Sequence, residues 1–227
     1  MNAPEQHDML SGADDAKDAP RLIARVSSIA VKAAFPFIAA DEIRLYLCGV
    51  NIRPLESGGV VVIATDGHRF LMVRDPGGYA EEEIIARVSK DGIKHAGVGV
   101  TFDVMSNGSA SLNDETVSAV FIQPGRSLVE GKFPRIESVI DKTGYKEGIS
   151  GAVNANYLAD ALKIKTGANA PAIRFFTKNE DSPLLFILSG IGEIEVVGGI
   201  MKMRDTIQWL PSWIPANGEF EMQGSAA

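Results

Sequence analysis

Cysteine is almost absent from this chain: Cys48 is the only one in 227 residues. An internal disulfide framework is therefore excluded, and the composition fits a reducing cytoplasm. Long apolar runs are missing too, since none approaches the ~20 residues that cross a bilayer. The opening "MNAPEQHDMLSGADDAKDAP" has no basic-then-apolar signal pattern. It is polar, acidic and rich in Ala, Asp and Pro, so residues 1–19 read as a disordered leader. Histidine is scarce, at His7, His68 and His95. Asp66 and His68 could be two metal ligands, but no third His, Cys or carboxylate follows at ligand spacing, so no metal site is expected. There is no nucleophile elbow and no paired carboxylates at useful spacing, and "GKF" at Gly131 lacks the glycine-rich lead of a phosphate loop. An enzyme is not expected, nor a cofactor. A formal charge of −7 argues mildly against simple coating of nucleic acid, although affinity depends on where the cations sit rather than on their sum.

The chain is 45% hydrophobic and 22% charged, as a globular protein is, and its length allows one large domain or two small ones. Either could bury a sizeable core without a staple. In "RLIARVSSIAVKAAFPFIAA", Leu22, Ile23, Val26, Ile29, Ala30 and Ala33 recur at helical spacing, which predicts a helix from Arg21 that Pro36 ends. The strands "IRLYLCGVNIRPLE" and "GGVVVIATDGHRFLMVRD" follow. The order then repeats: residues 79–97 hold a short helix or extended lead-in followed by a helix, and "VGVTFDVMS", "GSASLND" and "ETVSAVFIQP" are strands. A third round has "ISGAVNANYLADALKIKTG", a strand, Asn154 as helix N-cap and a helix to Lys165, then "AIRFFTKN", "PLLFILSG" and "EIEVVGGIMKMR". Links this short rule out parallel crossovers. The expected fold is α+β, with three helix-plus-strand units whose helices pack on one face of antiparallel sheet.

One turn asks for a reason. In "VVVIATDGHRFLM", an apolar strand ends in Asp66-Gly67-His68-Arg69 and turns apolar again at once. A hairpin explains Asp66 and Gly67, which tolerate positive φ. It leaves His68 and Arg69, which could decorate the hairpin or form a surface that another molecule reads.

Four motifs in order resemble the bacterial DNA sliding clamp, the beta subunit of DNA polymerase III. "IRLYLCGV" followed by "VVVIATDGHRFLMV" is similar to its middle domain, and Ala64 to Phe70 differs only at Phe70, where leucine is usual. "EGKFPRIESVI" is similar to its Gly-x-Phe-Pro linker, "GAVNANYLADAL" to the helix of its last half-domain, and "IMKMR" to its Met-Pro-Met-Arg end. Lys202 stands where the family has proline, and the chain continues past Arg204. The family's clamps have three domains, each a pair of units, so the resemblance implies a shortened form without the first domain and the first half of the last. The expected division is a leader, a middle-type domain over 20–141, a half-domain over 142–205 and a tail over 206–227.

The resemblance implies a groove that takes short linear peptides of polymerases or repair proteins. Its matching positions are Leu47, Thr65, Gly67, His68, Arg69 and Phe70 on one wall and Pro134 and Val139 from the linker. Ile200, Met201, Lys202, Met203 and Arg204 come from the last strand. Leucine, phenylalanine and methionine suit an adaptable apolar floor, and Arg69 and Arg204 could donate hydrogen bonds at the rim. Met201 and Met203 could equally be plain core, and His68 could cap its own hairpin. DNA contact is implied for cations lining a central hole, which meet phosphates without reading bases. The matching candidates are Arg21, Arg25 and Lys32 on the first helix, Arg87, Lys90 and Lys94 on the second, and Lys163 and Lys165 on the third, with Arg44 and Tyr46 on a strand. Outward Lys and Arg are also ordinarily just solvated.

Two function classes remain: a clamp that encircles duplex DNA as a homo-oligomeric ring and tethers a polymerase, and a clamp-like adaptor or decoy that binds the same peptides without encircling DNA. A ring of twelve units would need four such chains. The tail segment "QWLPSW" could occupy a groove, or its tryptophans could pack over an apolar edge.

Overall fold

The computed structural model describes residues 19–40, 42–114, 116, 119–123, 126–140, 143–149, 151–164, 172–189 and 194–204. The expected leader up to residue 18, Lys165 and the tail from residue 206 lie outside the described residues.

The chain begins with a strand, not a helix. In β1 (Leu22–Ser27), Ala24 and Val26 are fully buried while the intervening Arg25 points outward, which is the alternation of a strand. β1 pairs antiparallel with β7 (Val100–Met105), and Arg25 clasps Asp103 there with two hydrogen bonds of 2.8 and 2.7 Å. Helix α1 covers only Ser28–Ala34, and a single 3-10 turn at Phe35–Phe37, containing Pro36, ends it. The segment expected to open the next strand is a kinked 3-10 turn, Glu42–Leu47, and β2 runs Val50–Pro54. β3 (Val60–Thr65) and β4 (Arg69–Asp75) form the hairpin around the Asp-Gly turn.

Residues 79–97 are mostly extended: β5 (Tyr79–Ala80) and β6 (Ile84–Ala86) precede a five-residue helix, α2 (Lys90–Lys94), capped by Ser89. After β7 come β8 (Ala110–Asp114) and β9 (Ala119–Gln123). The third unit holds β10 (Lys146–Glu147), β11 (Ala152–Val153) and α3 (Ala155–Leu162). The Asn154 side chain accepts from the Asn156 amide at 2.9 Å, the N-cap read from the sequence. Strands β12 (Ala172–Thr177), β13 (Leu184–Ser189), β14 (Glu195–Ile200) and β15 (Lys202–Met203) complete it.

Among the described residues every strand pairing is antiparallel, as the short links require. One sheet has the order β5-β1-β7-β8-β9, a second β10-β12-β13-β14-β4-β3-β2-β6, and β11 pairs with β15. The first two units exchange strands: β1 enters the sheet of the second unit, and β6 pairs with β2 of the first. The third unit joins the first through β14 and β4, with Glu195 opposite Arg74 and Ile200 opposite Arg69. The expected α+β architecture of short helices on antiparallel sheet is the one observed.

The eight-stranded sheet is covered on both faces, which is why β3 reads as an unbroken apolar run. Val60, Val62 and Ala64 belong to the large core with Ala30, Val31 and Phe37 around α1. Val61 and Ile63 belong to a second cluster with Leu47, Phe70, Phe133, Ile136 and Leu185. Among the described residues, no helix is long and apolar enough to cross a membrane.

Candidate functional site

The Thr65–Phe70 turn is built from its own side chains. Asp66 Oδ1 accepts the amides of His68 and Arg69 at 2.9 and 3.1 Å. Thr65 Oγ1 accepts from the Gly67 amide and donates to the Arg69 carbonyl. Only Gly67 takes a positive φ, at 93°; Asp66 does not. A Cβ on Gly67 would lie 2.9 Å from Arg44 Nη1, and Arg44 Nη2 donates to the Asp66 carbonyl. The close approach that Gly67 permits is therefore used by Arg44.

This turn meets the end of β14. The Met201 amide donates to the His68 carbonyl at 2.9 Å, one residue beyond the Arg69–Ile200 pair. Helix α3 closes over the junction: the His68 ring stacks on Tyr157 with centroids 6.3 Å apart, and Arg69 Nη1 donates to Asp160 at 2.7 Å. Arg69 also donates to Asp66 and to the Pro36 carbonyl, and its guanidinium faces the rings of Phe37 and Tyr157 at 5.1 and 4.5 Å. Hydrogen bonds from Lys163 and then Arg69 hold the Asp160 carboxyl below its ordinary range.

Strand alternation divides the thirteen expected groove positions. Arg69 and Ile200 face the helical side and are buried, so the expected rim donation by Arg69 is corrected: its guanidinium pins the turn to α3. Leu47, Thr65 and Phe70 are buried on the other face, Leu47 and Phe70 beneath Phe133 and Ile136, so the expected open floor is instead packed core. Gly67, His68, Val139, Met201, Met203 and Arg204 are exposed, and Pro134 and Lys202 are half-buried. The Lys202 ammonium donates to Thr177 Oγ1 and the Asn179 carbonyl, both at 2.7 Å, and burial pulls its pKa below the ordinary lysine value. Gly199 lets the Phe70 ring lie flat over the β4–β14 seam, since a Cβ there would be 2.3 Å from Phe70 Cε1.

A shallow depression of about 250 Å³ adjoins the Met201 end of the seam, lined by Val139, Tyr145, Lys178, Asn179, Asp181, Ser182 and Pro183. Pro183 directly precedes Leu184, the cross-strand partner of Ile200. The side chains that remain exposed at the seam are thus a strip of His68, Met201 and Met203, with Arg204 beyond them, while Val139 and Lys178 lie in the depression. Such a strip can bury apolar side chains of an extended guest and pair with its polar backbone. Sequence reasoning missed Tyr157, Asp160, Tyr145 and Pro183. Tyr157 and Asp160 stand three apart on α3, a spacing that puts them on one face, but nothing in the spacing says what that face covers.

The candidate DNA cations do not share a helical face. Arg21 and Arg25 precede α1; Arg21 pairs with Glu81, and Arg25 with Asp103, whose hydrogen bond raises the arginine pKa. Lys32 on α1 donates to the Ala96 carbonyl, Lys94 pairs with Asp91, and Lys163 pairs with Asp160. Arg44 and Tyr46 lie in the 3-10 turn rather than a strand, and Tyr46 packs against Gly131. Arg87 follows β6 and is half-buried, while Lys90 opens α2 and is exposed. Lys165 lies outside the described residues. Among the described residues, no cluster of three His, Cys, Asp or Glu side chains could hold a metal.

No protein-family model and no curated protein sequence matches the chain. Solved structures do. The DNA polymerase sliding clamp of Pseudomonas aeruginosa superposes with a TM-score of 0.56 at 16% identity, over 80% of this chain and 66% of that one. The DNA polymerase III subunit beta of Borrelia burgdorferi superposes at 0.56 and 14% identity, over 87% and 66%. The Helicobacter pylori beta clamp superposes at 0.59 and 13% identity, over 81% and 67%. The match spans about two thirds of the length of these clamps. At such identities the likeness lies in the path of the backbone, and on that ground the chain has the fold of bacterial DNA sliding clamps.

Proposed function

We propose that the chain is a non-catalytic clamp-type platform that takes short linear peptides of DNA polymerases or repair proteins along the His68–Met201 seam, in a cytoplasmic setting. One observation carries the reading: the Met201 amide donates to the His68 carbonyl, so the Asp-Gly turn and the strand end bearing Met201 and Met203 border one exposed strip. The depression at Val139 and Pro183 adds room for a side chain beside it. The clamp fold of the backbone supports the same assignment.

The adaptor form is favoured over a ring around DNA. Arg21, Arg25, Lys94 and Lys163 each face a carboxylate of the same chain, and the formal charge is −7. Cations already paired within the chain contribute less to phosphate binding.

The test is fluorescence anisotropy with a labelled peptide carrying one glutamine and a following cluster of apolar residues. Met201→Ala is expected to weaken binding by about 1–2 kcal/mol, and Met201→Lys by more, because a charge would meet the guest's apolar side chains. Unaltered affinity in both variants would show that the strip is not the site.

A further inference from the structure

Both tryptophans of the chain, Trp209 and Trp213, lie just beyond Arg204, where the described chain ends at the candidate seam. Large apolar side chains stay exposed at that point: Met201 is 37% exposed and Met203 54%. Next in the chain is "IQWLPSWI", residues 207–214, which carries five large apolar side chains and no charge. We infer that this segment docks along the His68–Met201 strip of its own chain and competes there with incoming peptides. The inference rests on the peptide-binding reading and adds its regulation.

Reach and chemistry both favour this occupant. Trp209 stands five positions after Arg204 and Trp213 nine, and extended chain spans about 3.3 Å per residue, so they can reach roughly 16 and 30 Å from it. That range is more than enough for the segment to fold back over Met203 and Met201, which stand one and three residues before Arg204. Docking Ile207, Trp209, Leu210, Trp213 and Ile214 removes apolar area from both partners, and with no charge in the segment there is no ionic desolvation to offset it. Pro211 limits the freedom lost on ordering. A short tether holds the segment at an effective concentration on the order of 1 mM. A segment with an intrinsic dissociation constant of about 0.1 mM would then weaken an external peptide about tenfold.

Two readouts test this. Removing residues 206–227 should strengthen binding of the labelled peptide about tenfold. Because both tryptophans sit in the segment, intrinsic tryptophan emission reports on it alone. The full-length chain should emit at short wavelength, and a tryptophan-free competing peptide should shift that emission to the red. Met201→Lys combined with Met203→Lys should give the red shift without peptide. Equal peptide affinity with and without the segment overturns the inference and leaves the peptide reading intact. Loss of peptide binding in the shortened chain, with its fold intact by circular dichroism, overturns the peptide reading instead. Blue emission that ignores the methionine substitutions means the tryptophans pack over another edge, and emission that reddens on dilution means the occupant is a second copy; either overturns the inference.

Discussion

The Arg69 guanidinium is bonded to Asp66, Asp160 and the Pro36 carbonyl, and it lies against the rings of Phe37 and Tyr157. A planar, permanently charged fork can satisfy that many partners at once, whereas an ammonium cannot. Arg69→Ala leaves buried acceptors unpaired and is expected to lower stability by about 2–4 kcal/mol in urea denaturation. Arg69→Lys should recover only part of the loss; full recovery would mean that the fork geometry is irrelevant. Asp160 makes the same junction sensitive to acid. Its folded pKa is lowered from 3.8, by the Lys163 hydrogen bond first and the Arg69 bond second. A depressed carboxyl pKa contributes stability that is complete above the unfolded value and is lost as pH falls through the folded one. The urea midpoint should therefore drop between pH 5 and the acid limit, and Asp160→Asn should flatten that part of the profile. An unchanged slope in the variant would assign the acid sensitivity to other carboxylates. At this scale the sequence was a poor guide to roles. Arg69 was expected as a rim donor because the motif that holds it resembles a clamp groove wall, while the partner that fixes it, Asp160, is 91 positions away.

Strand β14 carries two adjacent glycines at the seam, and they serve opposite faces of the sheet. A Cβ on Gly198 would lie 2.0 Å from Phe186 Cζ, a fully buried ring, and one on Gly199 would lie 2.3 Å from Phe70 Cε1. In an ordinary strand Gly→Ala stabilises by restricting the unfolded chain. Here Gly198→Ala should destabilise by about 1–3 kcal/mol, since a closely packed ring must move. A rise in the thermal midpoint would sink this account. The hairpin of β3 and β4, the N-cap at Asn154 and the strands of the third unit were legible because turn chemistry and period-two alternation are local signals. The helix expected from Arg21 failed at β1. Leu22, Ile23 and Val26 satisfy helical spacing and strand alternation alike, and the choice is made by pairing with β7, whose nearest residue is more than seventy positions on. The strand expected over 43–56 survives only as β2; its opening residues form a 3-10 turn instead, where Arg44 reaches the Asp66 carbonyl and Leu47 packs in the second core cluster.

Across the whole molecule, the eight-stranded sheet makes the first and third units continuous through β4 and β14, so the proposed binding strip lies where two units meet. The cations expected to form a DNA-facing surface are distributed over strands, helices, caps and turns, and four of them, Arg21, Arg25, Lys94 and Lys163, are paired with carboxylates. At about 0.15 M salt the chain is therefore expected to leave duplex DNA unshifted in a gel while still binding peptide, and light scattering should give no larger species on adding circular DNA. A four-chain species retained on circular DNA and lost from linear DNA would reverse the choice between adaptor and ring.

The sequence alone determined the turn at Asp66 and the cap at Asn154, because each rests on contacts among residues close in the chain, and it determined the α+β class and antiparallel hairpins because links this short leave no room for parallel crossovers. Only the tertiary structure decided which face each side chain serves. Burial of Phe70 and Leu47, the pinning of Arg69 by Asp160 and the exposure of Met201 all depend on segments far apart in sequence, brought together by the sheet and by the packing on its two sides.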